Sequence, residues 1–171
     1  MGCTLVVLAA LLILGPSLSC GNSHVLLERA LGRTPESEIG RYLATIAEGD
    51  RQAALALWLE PQAERTELRL RREEMTDALL AYGPALSHEI LSISWWRTCC
   101  EPAIIDDPGQ AGGARVRVLV RGRTQPERLY LFDLLVPGGY WGDAAGNPMR
   151  EWVLVDIYPE GASPLAWVVQ K

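Results

Sequence analysis

The chain predicts an α+β domain in which three helices pack on one face of a curved antiparallel sheet of four to five strands. Three features of the sequence predict it. Between Thr34 and Ala81 the apolar residues recur at helical spacing, from Glu89 to Tyr158 they alternate, and the period changes at the turn signal Gly83-Pro84. The length of 171 residues suits one domain behind a short targeting segment, and 49% hydrophobic residues are enough to build a core. A net charge of −5 argues against a nucleic-acid partner, which would require a basic face for phosphates.

Residues 1–19 carry no charge, and Leu5 to Leu14 is a continuous apolar run broken by Gly15-Pro16. An apolar run of roughly 7–15 residues that ends in small residues has the form of a secretory signal. It is shorter than the stretch of about 20 residues that spans a bilayer as a helix. Ser17-Leu18-Ser19-Cys20 then resembles the lipobox of bacterial lipoproteins, with Ser19 as the small residue before the cut and Cys20 as the cysteine that takes the lipid. Ser17 stands where the lipobox usually has leucine, and the leader lacks the usual basic start. The expected organisation is a signal peptide over 1–19, a lipidated Cys20 with its tether over 20–33, and the domain over 34–171. The chain would then be exported and held at the membrane of the cell envelope through lipid on Cys20. The alternative is secretion after ordinary signal cleavage near Ser19. Met1-Gly2-Cys3 also has the start of a dual-acylation motif, but Val6 stands where that motif requires Ser or Thr.

The first helix should start at Thr34-Pro35-Glu36, which supplies an N-cap, a proline at the first helical position and an acid in the first turn. Ile39, Tyr42, Leu43 and Ile46 give it one buried face, and Gly49 ends it. Asp50 can cap a second helix from Arg51 to about Leu59, carrying Leu55, Trp58 and Leu59. Pro61 opens a third, to about Ala81, with Leu68, Met75, Leu79 and Tyr82 as its apolar stripe. Its charge run, Glu64 to Glu74, is expected to be a solvated face of i,i+4 pairs.

Strands are expected over Glu89–Thr98, around Arg115–Arg121, over Leu129–Val136 and over Glu151–Tyr158, with a short edge strand at Ala166–Val169. Loops rich in Gly and Pro fill 106–113 and 137–148.

The run Tyr42-Leu43-Ala44-Thr45-Ile46-Ala47-Glu48-Gly49-Asp50, followed by Ala53-Ala54-Leu55, resembles the helix–Gly-Asp–helix opening of NTF2-like (cystatin-like) domains. Glu89–Ile93 and Glu151–Asp156 stand where that superfamily has strands, and the resemblance covers roughly residues 34 to 158. It implies a cone-shaped pocket between sheet and helices, a dimer through the open sheet face in many members, and no particular reaction. The superfamily includes isomerases, dehydratases, cyclases and non-catalytic binding domains, so the fold leaves the function open.

Candidate chemistry is sparse. Asp133 and Asp156 lie within strands among apolar residues. A carboxylate held in an apolar pocket can serve as a general base, as pocket aspartates do in some NTF2-like isomerases. Cross-strand pairing with Arg115, Arg117 or Arg121 is the structural alternative. Cys99 and Cys100 are adjacent, and a bond between them would be strained, because neighbouring Cα atoms sit about 3.8 Å apart where disulfides favour about 4.4–6.8 Å. Either a redox-active pair or a rigid structural corner would follow. His88 has no nucleophile motif beside it, no ligand set completes a zinc site around the cysteines, and no metal or cofactor is expected. Trp95, Trp96, Tyr140, Trp141 and Trp152 are candidates for lining a pocket, with Trp95 and Trp96 on opposite sheet faces. The reading these features support is a non-catalytic domain that binds a small apolar ligand or another envelope protein. An isomerase or dehydratase with Asp133 or Asp156 as base, and a redox role for Cys99-Cys100, are the alternatives.

Overall fold

The computed structural model describes residues 30–59, 66–97, 103–105, 111–123, 125–136 and 152–164. Helix α1 runs over Pro35–Glu48, α2 over Arg51–Ala56 and α3 over Thr66–Leu80. Strands β1 (Ser87–Arg97), β2 (Ala103–Ile105), β3 (Gly113–Arg121), β4 (Arg128–Leu135) and β5 (Val153–Pro159) follow. They form one open antiparallel sheet in the order β2-β1-β3-β4-β5. The expected α+β class is therefore the observed one. No helix among the described residues is long and apolar enough to cross a membrane.

Helix α1 begins as its sequence dictates. Thr34 is the N-cap, its hydroxyl accepts from the Ser37 amide at 3.2 Å, and the Thr34 amide donates to Ser37 Oγ at 2.9 Å. This reciprocal box satisfies two backbone donors that the first turn leaves without helical partners. Gly49 closes the helix at φ 79°, a left-handed conformation that costs a glycine little. Thr34→Ala should destabilise the domain by about 1 kcal/mol, read from the urea midpoint, while Ala44→Ser on the exposed side of the same helix should shift it far less.

Asp50 caps α2 through its carboxylate, which accepts from the Ala53 amide at 2.9 Å. The helix stops at Ala56, earlier than the expected end near Leu59. The reason is tertiary. Trp58 leaves the helix to form a parallel bridge with Leu154 of β5, and the Leu59 amide donates to the Leu154 carbonyl at 2.7 Å. The connection after α2 thus satisfies backbone groups along an edge that a sheet strand would otherwise leave open.

The inner sheet face meets the helices in one core. Ile39, Tyr42, Leu43 and Ile46 of α1, Met75 and Leu79 of α3, and Trp58 pack against Val116, Val118, Val120, Phe132, Leu134, Leu154 and Ile157. Tyr42 stands edge-on to both Trp58 and Phe132, with centroids 6.2 and 6.3 Å away, and its hydroxyl lies 3.1 Å from Thr76 Oγ1. Burial pushes the Tyr42 phenol up to about 12, so it stays neutral and keeps this bond.

Two register shifts bend the sheet. Leu91 has no opposite residue between the pairs Ile90↔Val118 and Ser92↔Arg117, and Val155 has none between Leu134↔Leu154 and Asp133↔Asp156. Each extra residue bulges its strand and strengthens its local bend. The Leu91 bulge also breaks the strict alternation expected for β1. Ile90, Ile93 and Trp95 share the inner side, packing against the core, and Leu91 is exposed. Strand β2 falls where no strand was expected; three residues are too few to show a period. The proposed edge strand at Ala166–Val169 lies outside the described residues.

Candidate functional site

Several residues with chemical potential share the outer sheet face, the side turned away from the main core, and α3 reaches the β5 end of the group. Register places Arg115 of β3, Asp133 of β4 and Asp156 of β5 in one row across three strands. Tyr158 lies two residues after Asp156 on the same strand, so the pleat gives it the same face. Asp133, Asp156 and Tyr158 are all buried.

Arg115 holds the row together. Its Nε and Nη2 donate to the two oxygens of Asp133 at 2.7 and 2.8 Å, the bidentate fork that matches a carboxylate. Its guanidinium carbon also sits 5.5 Å from the ring centroid of Trp96 and 5.6 Å from that of Tyr158. A planar cation held over two aromatic faces gains from both ring quadrupoles. The Tyr158 hydroxyl donates to Asp133 at 3.4 Å, too long to add much. On the Asp156 side, Arg71 of α3 brings Nη1 to 4.0 Å from the carboxylate.

Two buried acids opposite each other are thus accompanied by two arginines. Burial raises the Asp133 carboxyl above its ordinary range, and the Arg115 guanidinium pulls against that rise. Arg115 in turn is held further into its charged form by Asp133. A carboxyl whose folded pKa exceeds its unfolded one supports the native state at acid pH. That support is lost as pH rises through the interval between the two values.

Trp96 closes this end of the outer face. It forms a small cluster with Leu135 and Val155, the residue freed by the β5 bulge. Gly113 is the opposite residue on β3, and a Cβ there would lie 2.1 Å from Trp96 Nε1. Only glycine lets the indole lie across β3 toward Leu135. Gly113→Ala should therefore displace Trp96 and cost about 1–3 kcal/mol by overpacking. The check is a lower denaturation midpoint that the double variant Gly113→Ala/Trp96→Leu partly restores.

The sequence candidates separate as follows. Asp133 and Asp156 are brought side by side, and Asp133 is engaged by Arg115, one of the three arginines weighed as its partner. An acid acting as base requires a closed pocket and freedom from arginine, and Asp133 lacks the second. Trp95 and Trp152 lie in the inner core, 5.9 Å apart at 59°, while Trp96 lies on the outer face. His88 is exposed on β1 opposite Val120. Cys20, Cys99, Cys100, Tyr140 and Trp141 lie outside the described residues. Among the described residues, no three His, Cys, Asp or Glu side chains come together as a metal site.

Two members of the cluster were not singled out from sequence. Tyr158 was within reach of the alternation rule, because it shares a strand face with Asp156. Arg71 was not. The α3 charge run was expected to be solvated throughout, yet the Arg71 side chain is only 18% exposed because the helix carries it to a buried acid of β5. The pairing of Arg51 with Asp77, at 2.6 and 3.0 Å, is of the exposed kind that adds little.

Between the helices and the inner sheet face, a cavity lined by Ile39, Tyr42, Leu57, Leu134 and Leu154, with Glu38 at its side, measures about 10 Å³. That is the space of about one water centre, far below the roughly 300–1,000 Å³ of a small-molecule site.

No family model, no curated protein and no solved structure matches the chain.

Proposed function

We propose that the chain is an exported, lipid-anchored NTF2-like domain that acts as a non-catalytic binding module and engages another envelope protein through its surface. The observation that carries the non-catalytic part is the packing of the inner face. Among the described residues, Tyr42, Phe132, Leu134 and Leu154 belong to one packed core between sheet and helices, and the cavity beside them has room for about one water. The bidentate pairing of Asp133 with Arg115 supports the same reading, because the guanidinium occupies both carboxylate oxygens and leaves neither aimed at a substrate. The anchoring part rests on the uncharged leader and on Ser19-Cys20.

The test is the intact native mass of the protein recovered from its own membrane fraction, together with the variant Cys20→Ala. The expected mass is that of the chain from Cys20 onward plus lipid, with no small molecule retained, and Cys20→Ala should leave the membrane fraction. An unlipidated protein, or a variant that stays on the membrane, overturns the anchoring. A small molecule retained in stoichiometric amount overturns the filled interior and returns the isomerase or dehydratase reading, with Asp156 as its general base.

A further inference from the structure

We draw no further inference here: the strongest candidate, the half-buried apolar strip that Ile90, Ile93 and Trp95 form along the inner side of β1 at the margin of the core, is a sheet face only partly covered by the described residues, and nothing in the structure shows what covers the rest.

Discussion

Arg115→Ala is expected to destabilise the domain by about 2–4 kcal/mol, somewhat under the usual cost of breaking a fully buried ion pair, because Asp133 is buried while Arg115 is partly exposed. The guanidinium supplies both hydrogen bonds to Asp133 and fills the gap between Trp96 and Tyr158. Alanine leaves a carboxylate that is 1% exposed, with Asp156 opposite it, and removes the contact with two rings. Arg115→Lys should recover only part of the loss, since an ammonium is a point charge that cannot match both oxygens or stack between aromatic faces. The double variant Arg115→Met/Asp133→Leu should be far more stable than Arg115→Ala, because it leaves no uncompensated charge. Urea denaturation of the four proteins measures this. A loss below about 1 kcal/mol in Arg115→Ala would place the pair among those worth little, as exposed pairs are.

The same variant carries a pH signature. With the guanidinium gone, nothing from Arg115 opposes the upward pull of burial on Asp133. The carboxyl then protonates more readily in the folded state, and the neutral acid is cheaper to bury. The deficit of Arg115→Ala relative to the parent should be largest at neutral pH and should shrink under mildly acid conditions. A deficit that stays constant across that range would mean that lost packing, not the stranded charge, sets the cost.

Local chemistry explains which parts of this fold could be read in advance. The start of α1, its buried face and its end at Gly49 rest on contacts within a few residues, such as the Thr34–Ser37 box. The alternation of β3 is equally local, since Val116, Val118 and Val120 turn to the core and Arg115, Arg117 and Arg121 away from it. The pairing of Asp133 was open only as a choice among three arginines, because register between β3 and β4 decides it. The features that escaped depend on distant partners. The end of α2 is set by the β5 edge, the bulges at Leu91 and Val155 by mismatch between neighbouring strands, and the burial of Arg71 by the placement of α3 beside Asp156. No periodicity encodes those distances.

Phe132→Ala should cost about 3–5 kcal/mol, as truncation of a buried aromatic does when the site cannot collapse. Phe132 is fully buried on the inner face of β4, edge-on to Tyr42, with Val116 and Ile157 opposite it on the neighbouring strands. Strands on both sides and helices above leave little freedom to close the void. The adjacent residue Leu131 points to the outer face and is half-buried, so Leu131→Ala should cost much less. The new void would be walled by apolar groups, and a dry apolar cavity of that kind takes up benzene. Benzene should therefore raise the thermal midpoint of Phe132→Ala and leave that of the parent protein unchanged. This pairing bears directly on function. If benzene stabilises the parent as well, the space between helices and sheet already admits an apolar guest, and the domain is a ligand carrier. If only the variant responds, the space between helices and sheet in the natural protein is closed to an apolar guest of that size, as the proposed surface role requires.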